Sequence, residues 1–268
     1  MPTNTVYFVH ISDTHIGRTP DFELNGRNAL ARAERLVETI NTLPAQPDFV
    51  VHTGDVVNEP HPEAYRLAAR VFGRLDLPVY YVVGNHDRAA EIHHFLPMGP
   101  RQDLSPDRDM LSYIFESKGY RFLVTDARGP DEIAPRGRFS QRQLDLVRQE
   151  IERGGPPLVV FTHFPILPLD AVWMDTNMLT VNGPAFHELL QTAGARLRGV
   201  FYGHVHRPMQ TMRDGILYAS AASSLYQLGA WPHDADVRID ENYPPGYSFV
   251  HLLPEQTIIH HHVVGGQG

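Results

Sequence analysis

The sequence predicts an α/β protein with a mostly parallel sheet, and three patterns support this fold class. Short runs of β-branched and aromatic residues alternate with segments of helical spacing in the first part of the chain. Five of these runs end directly in aspartate, asparagine or histidine side chains. After position 206 the pattern changes to paired strands joined by short turns. Several strands therefore deliver polar side chains to one edge of a sheet, where ligands gather in open α/β folds.

The first part of the chain alternates between predicted strands and predicted helices. Strands are predicted over Val6 to Ile11, Asp48 to Thr53 and Val79 to Val83. Apolar residues at helical spacing predict helices over Asn25 to Leu43 and over Pro62 to Leu75. This order implies βαβ units, in which the strands run parallel.

The middle of the chain continues the alternation after an irregular, proline-rich stretch over residues 96–110. A capping-box pattern at Ser140 and a glycine pair at 154–155 bound one further helix. The predicted elements of this part are a hairpin of Ser112 to Phe115 with Arg121 to Thr125, a helix after Ser140, a strand over Leu158 to Thr162, a helix over Pro184 to Thr192 and a strand over Val200 to Tyr202.

The last third of the chain is predicted to be antiparallel. Asp214-Gly215 is a strong hairpin turn signal, and Tyr247 to Leu253 and Thr257 to Val264 flank a second short turn. No internal repeat or break in composition separates a second domain, so residues 1–268 are predicted to form one domain. The long segments 165–183 and 225–246 are expected to wall the site or to contact a second subunit.

Composition excludes several classes of site and partner. The chain of 268 residues has no cysteine, so thiolate metal sites and disulfides are excluded. A formal net charge of −8 argues against stable nucleic-acid binding. No apolar run is long enough to span a membrane, and the first residues lack the apolar core of a signal peptide. We therefore expect a cytoplasmic protein without membrane contact.

The polar side chains at the five strand ends predict a pair of transition-metal ions. Oxygen and imidazole donors suit zinc, manganese, iron or cobalt rather than calcium. The set is too large for one tetrahedral ion, but it suits two ions that share a carboxylate and lie about 3.5 to 4 Å apart. The predicted metal ligands are Asp13, His15, Asp55, Asn85, His163, His204 and His206.

The charge of such a centre favours an anionic substrate. Two aspartates, two divalent ions and one bridging hydroxide sum to about +1. A residual positive charge in an acidic protein attracts an anion locally, and phosphate esters fit this description. In-line displacement at phosphorus is also the reaction that a metal pair stabilises.

Each of these residues also has a structural interpretation that needs no metal. A single histidine at a strand end is usually part of the core, Asp13 and Asp55 can cap helices, and Asn85 can occupy a left-handed turn position. These interpretations fail for the whole set, because the five clusters follow strands at equivalent places in the predicted topology.

The five clusters together resemble the calcineurin-like metallophosphoesterases. The blocks are Asp13-x-His15, Gly54-Asp55, Gly84-Asn85-His86-Asp87, His163 and Gly203-His204-x-His206, in this order. The opening His10 to His15 and the stretch Thr162 to Leu169 look most like bacterial class III cyclic-nucleotide and glycerophosphodiester phosphodiesterases. This resemblance implies a four-layer α/β/β/α sandwich with two mixed sheets.

The resemblance also implies a role for each residue. Asp13, His15 and His206 would hold the first ion, Asn85, His163 and His204 would hold the second, and Asp55 would bridge both. His86 would face the phosphate and stabilise charge or protonate the leaving alkoxide, and Asp87 would orient His86. The nucleophile would be a metal-bound hydroxide, and the activity would be that of a metal-dependent phosphoric diester hydrolase.

One departure separates this chain from the phosphoprotein phosphatases of the same fold. Those enzymes continue Gly-Asp towards Asp-Arg-Gly, whereas Gly54-Asp55 here continues into Val56-Val57-Asn58-Glu59. The arginine that would grip a phosphomonoester is missing, which favours small diesters such as 3',5'-cAMP or glycerophosphodiesters as substrates. The alternatives are a nuclease or phosphomonoesterase of the same superfamily, and a non-catalytic protein-binding scaffold. Self-association into a homo-oligomer is left open.

Overall fold

The structure is a computed structural model that describes residues 4–265. Within this range the strands are β1 (Val6–Ile11), β2 (Glu23–Leu24), β3 (Arg27–Asn28), β4 (Phe49–His52), β5 (Val79–Tyr81), β6 (Gln102–Asp103), β7 (Tyr113–Ser117), β8 (Tyr120–Val124), β9 (Leu158–Phe161), β10 (Leu197–Tyr202), β11 (Gln210–Arg213), β12 (Ile216–Ser220), β13 (Gly246–Leu252) and β14 (Thr257–Val263). The α-helices are α1 (Ala29–Asn41), α2 (Pro62–Phe72), α3 (Ala89–Phe95), α4 (Gln141–Glu152), α5 (Val172–Asn177) and α6 (Gly183–Gln191).

Two mixed sheets contain most of these strands. The first sheet has the order β14-β13-β1-β4-β5, in which β1, β4 and β5 are parallel and β13 and β14 are antiparallel to their neighbours. The second sheet has the order β11-β12-β10-β9-β8-β7-β6, with β8, β9, β10 and β12 parallel. The predicted α/β class with two mixed sheets is confirmed.

Phenylalanine side chains fill the space between the two sheets. On β1, Phe8 packs edge-on against Phe161 of β9 and Phe201 of β10, at ring-centroid distances of 5.6 and 5.2 Å. Phe49 of β4 meets Phe122 of β8 in the same way, at 5.0 Å. Because side chains alternate along a strand, the neighbouring residues of each strand face outward, towards helices.

Helices cover the outer face of each sheet. Buried apolar residues of α1, α2 and α3 pack with those of the first sheet in one core cluster. Val147 of α4 and Phe186 of α6 pack with Val160 and Val200, the outward-facing residues of β9 and β10. The layers therefore run helix, sheet, sheet, helix. No helix among residues 4–265 is both long and apolar enough to cross a membrane.

The structure corrects one element boundary, one strand direction and one stretch that was predicted to be irregular. Helix α1 begins at Ala29 rather than Asn25, because Asn25 and Gly26 form a left-handed turn (φ 53° and 70°) between β2 and β3. The last third is not wholly antiparallel, since β12 pairs with β10 in parallel. The predicted hairpin of β11 and β12 is present, and its second arm runs again in the direction of β10. The irregular stretch 96–110 contains the short strand β6.

Candidate metal centre

All seven predicted ligands follow the carboxyl ends of β1, β4, β5, β9 and β10, and the loops that carry them are held by backbone hydrogen bonds. The amide of Asp13 donates to the carbonyl oxygen of Gly54 at 3.0 Å, and the amide of His15 donates to that of Asp55 at 3.1 Å. The loops after β1 and β4 are thus joined side by side beyond the ends of their strands. This pairing brings two separate sequence blocks to one place.

Five of the seven predicted ligands have a left-handed backbone conformation. Their φ angles are 55° for Asp13, 47° for His15, 53° for Asp55, 70° for His204 and 45° for His206. Residues other than glycine adopt this conformation uncommonly, although aspartate and histidine tolerate it better than most. Such conformations persist only where the surrounding structure holds them, and they cluster at functional sites.

Two glycines allow the loops to approach each other closely. A Cβ atom on Gly84 would lie 2.1 Å from Oδ1 of Asp55, and one on Gly203 would lie 1.9 Å from Oγ of Ser12 and 2.9 Å from Oδ2 of Asp13. All three distances are shorter than van der Waals contact, so a larger residue would displace Ser12 or the aspartates. The glycines of the third and fifth blocks are therefore required by packing against the predicted ligands.

Asp13, His15 and His206 form one group of donor atoms, all within 4.8 Å of one another. The Nε2 atoms of His15 and His206 are 3.0 Å apart, and Nε2 of His206 is 3.5 Å from Oδ1 of Asp13. His206 donates from Nδ1 to the carbonyl oxygen of Tyr226 at 3.2 Å. Its Nε2 atom is therefore left with a lone pair that faces the group.

Asp55, His163 and His204 form a second group of the same kind. Nε2 of His163 lies 3.1 Å from Nδ1 of His204 and 3.2 Å from Oδ1 of Asn85. His163 donates from Nδ1 to the carbonyl oxygen of Thr53 at 2.6 Å. Its Nε2 atom, like that of His206, is directed into a cluster of acceptor atoms.

The Asp55 carboxylate connects the two groups. Its Oδ2 atom is 3.8 Å from Nε2 of His15 and 3.4 Å from Nε2 of His163. Its other oxygen, Oδ1, accepts a hydrogen bond from the amide of His86 at 2.9 Å. One carboxylate thus faces a histidine of each group, which is the arrangement expected of a ligand shared by two ions.

The electrostatics of the site fit bound cations. Burial raises the pKa of Asp13 to about 7, because the carboxylate has lost its solvation. Burial disfavours the charged form of His163, but the adjacent Asp55 outweighs burial and raises the pKa of His163 to about 9. Burial alone would raise the pKa of Asp55. The nearby His163 and His86 outweigh burial and hold the pKa of Asp55 well below its usual range. Carboxylate oxygens and imidazole nitrogens packed this closely suit zinc, manganese, iron or cobalt as ligands.

His86 borders both groups, and a backbone carbonyl orients its ring. Its Nδ1 atom donates to the carbonyl oxygen of Asn58 at 2.7 Å, and its ring centroid is 4.8 Å from that of His15. A donor atom of His86 also lies within 4.8 Å of donor atoms of His15 and Asp55. His86 is partly exposed, so its free edge can reach a molecule bound at the centre.

The expectation that Asp87 orients His86 is wrong. The buried Asp87 carboxylate accepts hydrogen bonds from the amides of Gly84, Val56 and Val57, at 3.0, 3.2 and 3.3 Å. The tight turn of the third block points this side chain back towards the second block rather than towards the His86 ring. Burial, with a contribution from the charge of Asp55, raises the pKa of Asp87 to about 6. Asp87 therefore joins two loops of the site.

Backbone carbonyls that orient the histidines are the features that sequence reasoning missed. They belong to Thr53, Asn58 and Tyr226, and the Tyr226 ring also lies 4.6 Å from the ring of His206. Ser223 adds a further hold, because its hydroxyl donates to the carbonyl oxygen of Asp13 at 2.7 Å. Every residue has a carbonyl, so only the position of Thr53, at the end of a predicted strand and two residues before a predicted ligand, gave any signal.

The comparison with known proteins agrees with this geometry. The profile of the family described as Calcineurin-like phosphoesterase matches residues 6–208, a range that contains all seven grouped donors. The chain belongs to this family. It is therefore a hydrolase of phosphate esters, and the prediction that it is an enzyme is confirmed.

Two curated relatives and one solved structure illustrate the range of the family. The chain is 28% identical over 256 residues to the glycerophosphodiester phosphodiesterase GpdQ of Enterobacter lignolyticus, covering 94% of this chain and 89% of the relative. It is 28% identical over 214 residues to a probable cyclic nucleotide phosphodiesterase of a Psychrobacter species, covering 79% of this chain and 61% of that protein. A dimetal phosphatase from Danio rerio superposes with a TM-score of 0.69 at 17% identity, covering 96% of this chain and 95% of that one, and so shares the fold.

Proposed function

We propose that this protein is a binuclear metal-dependent phosphodiesterase that hydrolyses small diesters, such as cyclic nucleotides or glycerophosphodiesters. The observation that carries the proposal is the position of Asp55, whose Oδ2 atom faces His15 of one donor group and His163 of the other. A carboxylate in this position is suited to bridge two ions. The two relatives described above act on these classes of diester by name, which supports the choice of substrate.

The donor groups suggest how the residues would share two ions of manganese, iron, zinc or cobalt. Asp13, His15 and His206 would hold one ion, Asn85, His163 and His204 would hold the other, and Asp55 would contact both. When bound, such a pair supplies Lewis acidity towards the phosphoryl oxygens and activates a water molecule at neutral pH. Thr53 and Tyr226 keep Nδ1 of His163 and His206 occupied, so that Nε2 remains the ligand atom.

His86 is the residue that we assign to the reacting phosphate. The carbonyl of Asn58 fixes its ring through Nδ1, which leaves Nε2 to carry a proton towards the substrate. From there it would stabilise charge on the phosphoryl group or protonate the departing alkoxide. Asp87 acts at a distance, by holding the loop of His86 against the loop of Asp55.

The arginines beside the site favour a diester over a monoester. Arg88, which follows the third block, is 3.3 Å from Asp131, and Arg207, which follows the fifth block, is 2.6 Å from Asp240. Both guanidinium groups are therefore engaged by carboxylates. A diester carries a single negative charge, whereas a monoester carries about −1.5 to −2 at pH 7 and benefits more from an additional cation.

We also propose that the segment 225–246 walls the site. Tyr226 packs its ring on His206, and it also lines a cavity of about 120 Å³ together with Arg27, Arg32, Gln227 and Tyr243 among others. This wall would limit the alcohol groups of a diester that can be accommodated beside the metal pair.

The first experiment measures metal content and substrate preference together. Protein reconstituted with manganese, iron, zinc or cobalt is expected to hold two equivalents per chain and to hydrolyse bis-p-nitrophenyl phosphate faster than p-nitrophenyl phosphate. Faster turnover of the monoester would contradict the diester assignment. Full metal content without turnover of either compound would favour a non-catalytic scaffold.

The bridging role of Asp55 is tested by Asp55→Ala. Because both donor groups lose the shared carboxylate, we expect metal content to fall below one equivalent and turnover to be lost. The matched control is Asp126→Ala, since Asp126 is another buried carboxylate and accepts its hydrogen bonds from the amides of Leu111 and Arg128. Two equivalents retained in Asp55→Ala would refute the bridge.

A further inference from the structure

The edge strand β14 carries two exposed histidines on one face. Within residues 4–265, β14 pairs with β13 only, and in this register Phe249 is opposite His260 and Tyr247 is opposite His262. Side chains two residues apart lie on the same face of a strand. His260 and His262 are therefore neighbours on the face of the first sheet that also carries α1, and both are exposed.

A third histidine extends this row across the strand pair. His251 of β13 is opposite Ile258, so it lies diagonally beside His260 on the same face. Its ring centroid is 4.9 Å from that of His260, and the His260 and His262 centroids are 6.3 Å apart. The three rings are nearly parallel, with interplanar angles of 26° and 20°.

The residue between the two exposed histidines provides a built-in contrast. His261 points to the opposite face of the strand, where Nδ1 is 2.9 Å from Oγ of Ser248 and Nε2 is 3.2 Å from Nε2 of Gln210. Its ring nitrogens therefore have protein partners on the other side of the sheet. Substitution at 261 changes the same strand without changing the row.

The surroundings of this row favour the neutral form of its imidazoles at neutral pH. Burial, followed by the proximity of His260 and His262, lowers the pKa of His251. Burial and His260 lower the pKa of His262 in the same way. Neutral imidazole is the form that binds transition metals.

We propose that His260 and His262 form a second metal site, separate from the binuclear centre, for a single zinc, nickel or copper ion. His251 borders this pair but is not a ligand, because it lies four residues, about 13 Å, from His262 along the strand pair. Imidazole nitrogens suit these ions, and the chain has no cysteine to compete for them. Alternate residues of a strand are about 6.6 Å apart, and a zinc ion lies about 2.0 to 2.1 Å from each nitrogen. The exposed rings of His260 and His262 need only a change of rotamer to turn from the stacked arrangement towards one ion.

The test is a titration of nickel or copper into protein whose binuclear centre is already filled with manganese. We expect one additional equivalent by equilibrium dialysis, and nitrogen coupling in the electron paramagnetic resonance spectrum of the copper form. The double variant His260→Ala/His262→Ala should weaken this additional binding by at least tenfold. Its manganese content and its turnover should be those of the unmodified protein.

The matched control is His261→Ala, which removes a histidine from the same strand but from the other face. It should keep the additional equivalent and the nitrogen coupling. Absence of an additional equivalent in the unmodified protein would overturn the proposal. Equal binding by the double variant, or loss of binding in His261→Ala alone, would overturn it as well. None of these outcomes depends on phosphodiesterase activity.

Discussion

At the scale of single residues, the donors of the site have a strained backbone conformation, and hydrogen bonds restrict their movement. Asp13, His15 and Asp55 hold left-handed conformations, each of which costs of the order of 1 to 3 kcal/mol. The hydrogen bonds donated by the amides of Asp13 and His15, and by the hydroxyl of Ser223, maintain these conformations. The donors are therefore placed before any ion arrives, and binding needs little further ordering of the protein.

His86→Ala separates a catalytic role from a ligand role. In the unmodified protein Nδ1 of His86 is bonded to the carbonyl oxygen of Asn58, and the variant keeps the seven predicted ligands. We therefore expect both ions to stay bound. Turnover of a diester should fall by about two to four orders of magnitude, the usual contribution of a general acid or charge stabiliser. Metal analysis and kcat measured on the same sample decide the matter. Loss of an ion would show that His86 is a ligand, as its place near His15 and Asp55 also permits.

Asp87→Asn tests whether this carboxylate joins loops. The amide group of asparagine would direct donor hydrogens at backbone donors, and the charge would be lost. We expect the free energy of unfolding to fall by about 1.5 to 3 kcal/mol, as for hydrogen bonds to a charged group, with a much smaller change in kcat than in His86→Ala. Denaturant unfolding and steady-state kinetics measure the two effects. A large loss of kcat at unchanged stability would restore the direct role for Asp87 that the family resemblance implied.

Residue types and their places after strands were enough to predict which side chains meet at the centre. The donors Asp13, Asp55 and His163 each follow a run that could only be a buried strand. The partner of Asp87 could not be predicted in this way, because it depends on the direction of a three-residue turn. The orienting carbonyls were equally hidden, since a carbonyl has no residue type.

At the scale of elements, the site depends on a close approach of two loops that leaves no space for a side chain at position 84. Gly84 packs against Asp55. A Cβ atom at position 84 would lie 2.1 Å from Oδ1 and 2.4 Å from the amide nitrogen of Asp55. The amide belongs to the backbone and cannot rotate away. The loop after β5 can therefore approach the loop after β4 only without a side chain at position 84.

Gly84→Ala should consequently act on the metal centre as well as on stability. We expect a loss of about 1 to 3 kcal/mol in the free energy of unfolding, as for overpacking, and reduced metal content at limiting metal concentration. The control is Gly229→Ala, where the added Cβ meets side-chain atoms of Asp234 and Arg238. Thermal unfolding and metal analysis of both variants test the difference. Equal metal content in the two variants would contradict the prediction.

Strand and helix positions followed well from periodicity, whereas directions and starts depended on tertiary contacts. The β11–β12 hairpin was predicted from Asp214-Gly215, but its parallel pairing with β10 brings together Val200 and Tyr218, which no local pattern connects. Helix α1 starts later than predicted because Asn25 lies in a turn. Asparagine tolerates the left-handed backbone conformation that this turn requires, so the residue type alone did not indicate a helix or a turn.

At the scale of the whole molecule, we propose that the chain folds as one domain. The first sheet is completed by β13 and β14 from the end of the chain, and the second sheet supplies His163, His204 and His206 to a centre begun by the first. Neither half of the sequence therefore contains a complete sheet and a complete site.

Calorimetry should accordingly show one unfolding transition, and removal of metal should lower its midpoint. An ion at a hundred times its Kd stabilises the folded state by about 2.7 kcal/mol per site, so chelation should lower the Tm by at least about 5 °C. Two separate transitions in the metal-loaded protein would contradict the single domain. Light scattering on the same sample tests for self-association.

The phenylalanine layer between the sheets connects the interior to the chemistry. Phe8, Phe161 and Phe201 interlock at this layer, and each of their strands ends in donors of the centre. A slide of one sheet over the other by a fraction of an ångström would change the spacing between the two donor groups. Truncation of one of these rings, remote from any substrate, should therefore alter the rate of hydrolysis by changing the separation of the two donor groups. Packing in the hydrophobic interior thus sets the dimensions of the site.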